Sequence, residues 1–280
     1  MAERIDYVRL APVHEPSVLG ILLGVLRFAV ATSVVIVGAV AVLLTALVPV
    51  RIRGARLSLW IVVGLCRLFV VLFGIRLRCT DPEALRQHRG LVFINHLSYL
   101  DPLIIEAVAP TRFLSTAGVR ALPFIGWIAQ SIGTVFVNRG NDESRSASRE
   151  AVVRKLRTRA TPPITIAPEG QIGPGYLVLP FRHGAFEIAA EAGVPILPVV
   201  LQFEPLDTAA WVKGEWIPKA VWRLAARTAT FTATLTPLAP IQPAPDDNIA
   251  ALASATEAHF NAVLAADPTT LHPVAATSEP

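Results

Sequence analysis

The sequence is poor in the residues that mark several protein classes. Its 280 positions hold 2 cysteines, 1 methionine and 3 tyrosines, and charged residues make up only 16%. Two cysteines build no disulfide scaffold. Cys66 lies in an apolar run and Cys79 in a predicted strand, so both read as reduced thiols in a cytoplasmic redox setting. Zinc-ligand spacings, a helix-turn-helix signal and aromatic-rich basic strands are all missing, which leaves nucleic-acid binding without support. So is the G-x-S-x-G nucleophile elbow of serine hydrolases. Soluble domains usually carry about a quarter charged residues. The low charge here, with a mean hydropathy of +0.53, excludes disorder over most of the length and an ordinary soluble enzyme.

What is abundant is apolar sequence, concentrated at the front. From Phe28 to Val50 no residue is charged, with Arg27 before the run and Arg51, Arg53 and Arg56 after it. At about 1.5 Å per residue this crosses a hydrocarbon core of roughly 30 Å. The mixed-charge leader (Glu3, Arg4, Asp6, Arg9) argues against a removable signal peptide. A second apolar segment, Leu57 to Ile75, carries Arg67 at its centre. A charge at mid-membrane is costly, and two full spans would oppose the positive-inside tendency. Residues 1–73 are therefore expected to form a membrane anchor, either one span or a shallow helical hairpin. In the hairpin, the second segment lies at the interface and Arg67 snorkels to headgroups. Both arrangements leave the remainder on the cytoplasmic side of the cell membrane.

From Gly74 the texture becomes alternating short strands and helices. The predicted strands are Ile75–Thr80, Leu91–Asn95, Arg112–Thr116, Gly133–Asn138, Ile164–Ala167, Ile196–Phe203 and Thr228–Thr236. Helices are predicted over Pro102–Ala109, Glu143–Arg159, His183–Ala192 and Asn248–Ala265. Near-continuous Val/Ile/Leu runs are what a sheet covered on both faces requires. The expected fold over 74–266 is α/β, with a mixed, mostly parallel sheet flanked by helices; residues 267–280 read as a disordered tail. A net charge of +4 suits an anionic partner. The helix predicted over Glu143–Arg159 is rich in arginine and serves equally as a lipid-facing or a solvated surface.

The stretch Asn95-His96-Leu97-Ser98-Tyr99-Leu100-Asp101-Pro102 follows an apolar strand. Ser98 and Asp101 have capping-box spacing, and Asp101–Pro102 also reads as an N-cap followed by a helix-starting proline. On one continuous helix His96 and Asp101 would point about 140° apart. A strand–turn–helix junction lets the carboxylate reach the imidazole, fix its tautomer and leave the other nitrogen as a general base. The bland alternative is a turn histidine beside a helix cap.

In this stretch the chain resembles the 1-acylglycerol-3-phosphate acyltransferases and the wider glycerolipid acyltransferase superfamily. Their N-H-x-S-x-x-D block is present as Asn95 to Asp101. A strand ending in arginine is present as Gly133 to Gly140, with Asn138 and Arg139 at its end. The F-P-E-G-T-R block is altered to Ala167-Pro168-Glu169-Gly170-Gln171-Ile172, and Pro180 to Phe186 and Val194 to Val199 match the later blocks. The resemblance implies transfer of a fatty acyl group from acyl-CoA or acyl-carrier protein to a lysophospholipid hydroxyl, with no metal and no further cofactor. By carry-over His96 is the base and Asp101 its support. Asn95, Ser98, Asn138, Arg139, Glu169, Gly170 and Arg182 fall in substrate-binding blocks, Glu169 orienting Arg139 or a substrate hydroxyl, or else forming a structural ion pair. Backbone N–H groups near Gly170 are candidates for an oxyanion site. The expected partners are membrane phospholipid and lysophospholipid and the acyl donor, with no nucleic acid.

Two departures bear on the acceptor. Gln171-Ile172 stands where relatives have Thr-Arg, and Thr116 falls near a position where they often carry lysine. Losing two cations weakens the case for a free phosphate monoester and favours a lysolipid with another headgroup. A membrane-anchored lipid-binding protein without turnover is the non-enzymatic alternative.

Overall fold

A computed structural model describes residues 16–137, 142–209 and 215–266, with backbone alone over 142–145. Asn138, Arg139 and the tail 267–280 lie outside the described residues.

The chain enters through α1 (Val18–Ala46), capped by Ser17, whose Oγ accepts from Gly20 N at 3.2 Å. A two-stranded turn, β1 (Arg51–Ile52) and β2 (Ala55–Arg56), leads into α2 (Leu57–Leu72). Helix α1 is long and apolar enough to cross a bilayer. Its buried positions are nearly all small: Gly20, Gly24, Ala31, Gly38, Ala39 and Val42. A Cβ on Gly24 would stand 3.1 Å from the Trp222 ring, and one on Gly20 2.7 Å from Ala226 O. Arg27 donates to Ala225 O at 3.2 Å and to Arg227 O. The helix therefore lies along the body rather than projecting from it, and it packs against α2. Leu22, Val25, Leu26, Val37, Val40 and Leu44 remain exposed on its outer side, as do Leu68 and Val71 of α2. Contiguous apolar surface of this kind marks a lipid- or partner-facing side. Arg67 of α2 has a structural partner as well. Its Nε donates to Ala107 O at 2.8 Å, tying α2 to the body while the residue stays exposed.

Seven further strands form one sheet: β3 (Ile75–Cys79), β4 (Leu91–Ile94), β5 (Arg112–Thr116), β6 (Val135–Val137), β7 (Ile164–Ile166), β8 (Ile196–Glu204) and β9 (Phe231–Pro237). Their order is β3-β9-β8-β4-β7-β5-β6, and every pairing is parallel except β8 with β9. Period-two alternation splits β4 between two cores. Val92 and Ile94 face α2 and α4 (Asp101–Val108), while Leu91 and Phe93 meet α7 (Asp142–Thr158), α8 (His183–Ala192) and α11 (Ile249–Ala265). Phe93 meets Phe186 of α8 edge-on, with centroids 5.0 Å apart. Both sheet faces are thus covered, which is why β4 and β8 read as unbroken apolar runs. Between these lie α3 (Pro82–Gln87), α5 (Ala117–Arg120), α6 (Ile125–Ser131), α9 (Leu206–Ala209) and α10 (Ile217–Ala225), none of which was predicted. Helix α10 forms the seat for α1, and α6 also packs on α1.

Candidate active site

Strand β4 ends at Ile94 and α4 begins at Asp101, so the intervening residues form a turn at the carboxyl edge of the sheet. Asn95, 1% exposed, bridges to β8: its Nδ2 donates to Leu201 O at 2.9 Å and its Oδ1 accepts from Leu201 N at 2.7 Å. Those two bonds fasten the start of the turn. Ser98 is fully buried and its Oγ accepts from Leu100 N at 3.3 Å. The structure thus gives Asn95 and Ser98 buried, hydrogen-bonded places that support the turn.

Asp101 is the first helical residue rather than the N-cap, which is Leu100. Its Oδ2 accepts from Leu97 N at 2.8 Å and Ser98 N at 3.0 Å, and it meets His96 Nδ1 at 2.7 Å. The backward reach to Ser98 N is half of the expected capping box. With Asp101 ionised, the short contact is a donation from Nδ1–H, which makes Nε2 the basic nitrogen of the neutral ring. The Asp101 side chain is 4% exposed and that of His96 32%. The carboxylate is therefore shielded while the imidazole reaches the surface, and so the pair is open to a substrate. Asp101 Oδ1 has no partner among the described residues.

Glu169 supplies the least expected part. Both its oxygens are taken by backbone: Oε1 accepts from His96 N at 2.7 Å and Oε2 from Leu179 N at 2.8 Å. Gly173 N donates to His96 O at 2.7 Å, so the 169–173 loop grips the peptide groups on either side of the histidine. A Cβ on Gly173 would fall 2.6 Å from Glu169 Oε2, which only glycine avoids. Burial pushes the Glu169 carboxyl up to about 7, against the lowering effect of its two backbone donors and of nearby His96. Glu169 is 3% exposed and holds the turn, and among the described residues it forms no ion pair. Sequence reasoning missed Gly173 and Leu179, although the glycine-dense run Gly170, Gly173, Gly175 was the available signal.

Gly170 has φ +68°, and a Cβ there would collide with Arg182 Nε, which donates to Glu169 O at 3.3 Å. Arg182 is otherwise exposed. The Gly170 N–H donates to Ala167 O at 3.1 Å, so it is committed to the loop. Among the described residues no group of three or more His, Cys, Asp or Glu could hold a metal.

A carboxylate-oriented imidazole at the carboxyl edge of a mostly parallel sheet, beside an apolar helical hairpin, defines an α/β protein with an exposed His–Asp pair next to an apolar surface. The comparisons sharpen this. A family model described as Acyltransferase matches residues 76–202, a little under half of the chain. Over 148 residues it is 35% identical to a lyso-ornithine lipid O-acyltransferase of Pseudomonas aeruginosa, covering 53% of this chain and 54% of that one. A 1-acyl-sn-glycerol-3-phosphate acyltransferase of Neisseria gonorrhoeae is 28% identical over 138 residues, 48% of this chain and 53% of that one. The chain spans about half the length of these curated relatives. The crystal structure of the 1-acyl-sn-glycerophosphate acyltransferase PlsC from Thermotoga maritima superposes with a TM-score of 0.65 at 20% identity, covering 88% of this chain and 95% of that one. At that identity the likeness is one of fold.

Proposed function

We propose that the protein transfers a fatty acyl group from a thioester, acyl-CoA or acyl-carrier protein, to the hydroxyl of a lysolipid. The 2.7 Å contact between His96 Nδ1 and Asp101 Oδ2 carries the reading. Nε2 removes the hydroxyl proton as the oxygen attacks the thioester carbonyl. The C–S bond then breaks, and the imidazolium returns the proton to the departing thiolate. Asp101 stabilises the transient imidazolium, and no metal or further cofactor enters. Helix α4, which starts at Asp101, packs against α2, so the reacting edge lies beside the apolar hairpin where a lysolipid is held. The body then works on the cytoplasmic face of the membrane.

For the acceptor, the uncharged Thr116, Gln171 and Ile172 favour a lysolipid that lacks a free phosphate monoester. Similarity to a lyso-ornithine lipid O-acyltransferase is in line with this. Purified protein given acyl-CoA or acyl-carrier protein and a panel of lyso-ornithine lipid, lysophosphatidic acid and other lysophospholipids tests both statements. Turnover abolished by His96→Ala supports the mechanism. Full activity of His96→Ala refutes the base, absence of turnover with every pair leaves a binding protein, and a preference for lysophosphatidic acid overturns the acceptor.

A further inference from the structure

At the opposite edge of the sheet, the turn joining β1 to β2 leans on the loop that precedes β7. An open cleft of about 420 Å³ lies between them, lined by Arg51, Arg53, Arg89 and Arg159 with Gly54 and Thr161. The contact is built for close approach: Gly54 has φ +82°, and a Cβ on it would stand 3.0 Å from Thr161 Cγ2. Arg53 itself sits in the left-handed region at φ 50°. Arg51 Nη1 donates to Gly54 O at 3.3 Å and steadies the turn. Behind the loop the buried Arg112 guanidinium draws in the carbonyls of Arg159 and Pro162. Among the described residues none of the four lining arginines forms an ion pair.

Four arginines around one cleft, with no carboxylate among its lining residues, make it basic, and planar guanidinium forks suit phosphate oxygens. The site is separate from the reacting one. Arg89 precedes β4 and His96 follows it, which at about 3.3 Å per residue places the two roughly 20 Å apart. Its apolar rim names the source of the phosphate. Leu47, Val48, Val50 and Ile52, flanking Arg51 and Arg53 in the chain, are all exposed. A soluble phosphate ester has no use for them, whereas acyl chains beside a headgroup do.

We propose that this cleft binds the phosphate of an anionic phospholipid headgroup, fixing how the hairpin sits in the membrane. The site does not depend on the acyl-transfer reading, and binding is measured apart from turnover. The full chain in neutral-detergent micelles is titrated with dihexanoyl phosphatidylglycerol, dihexanoyl phosphatidylcholine or inorganic phosphate while its thermal midpoint is followed. The expected result is saturable stabilisation by the anionic lipid alone. Each arginine near an anionic lipid surface accounts for about fivefold in affinity, so Arg89→Gln/Arg159→Gln weakens half-saturation by about 25-fold. Both side chains are exposed and, among the described residues, make no hydrogen bond; Arg51→Gln/Arg53→Gln gives an independent pair on the other wall. The matched pair Arg154→Gln/Arg157→Gln on α7 changes nothing. No stabilisation by the anionic lipid, stabilisation that survives both cleft pairs, or equal loss in the α7 pair overturns the proposal. A shift by inorganic phosphate with the same arginine dependence overturns the lipid as its source.

Discussion

Glu169→Gln is the perturbation that most directly tests how the reacting turn is held. Glu169 accepts from His96 N at 2.7 Å and Leu179 N at 2.8 Å, and burial lifts its carboxyl from an ordinary 4.5 to about 7. In the folded chain the group keeps its proton over a pH range in which the unfolded chain has lost it. Stability from this group is thus greatest below pH 4.5, falls as pH rises through the window, and levels off above about 7. At 1.36 kcal/mol per unit the whole fall is about 3 kcal/mol. Glutamine cannot ionise, so the variant loses the slope. It also turns an N–H₂ toward one of the two backbone donors, at a cost of about 1–3 kcal/mol at every pH. The variant is therefore less stable than the parent at pH 5 and close to it at pH 8. Thermal midpoints of the two chains in the same detergent, recorded from pH 4.5 to 8, measure this. Parallel profiles with equal slopes would refute the view that Glu169 is the buried group titrating there.

The remaining predictions concern the base, the loop that grips it and the anchor. Asp101→Asn removes a charge-assisted bond worth about 1.5–3 kcal/mol to the imidazolium, so kcat falls about 10- to 150-fold with KM little changed; steady-state kinetics retaining kcat within threefold contradict the role. Gly173→Ala drives a methyl to 2.6 Å from Glu169 Oε2 and costs about 1–3 kcal/mol; an unshifted unfolding midpoint sinks it. Gly24→Leu forces α1 away from Trp222 and makes the stretch around α10 more open to limited proteolysis, and an unchanged cleavage pattern shows that the seam is not needed.

How much of this was legible in the sequence depended on the range of the interactions. Apolar runs and local punctuation placed β5 at Arg112–Thr116 and α8 at His183–Ala192, as predicted from periodicity alone. The His96–Asp101 contact was legible for the same reason, since both partners belong to one turn. The second role of Glu169 was not, because its partners are backbone groups of His96 and Leu179 brought together only by tertiary folding. Helix α10 was missed because it is short, running only from Ile217 to Ala225. Arg51 and Arg53 read as a flank to an apolar run, and only the packing of Gly54 on Thr161 makes them one wall of a cleft.

The glycine-lined seam between α1 and α10 has a mechanical consequence. A greasy helix joined by a flexible tether would let its cargo tumble above the lipid, sampling every tilt. Here the backbone contact at Gly20 and the bonds of Arg27 to the far end of α10 transmit torque. On the proposed reading, whatever orientation a bilayer imposes on α1 is imposed on the sheet as well, so the height and bearing of His96 relative to the lipid plane would be set once, at docking, and need not be searched for at each turnover.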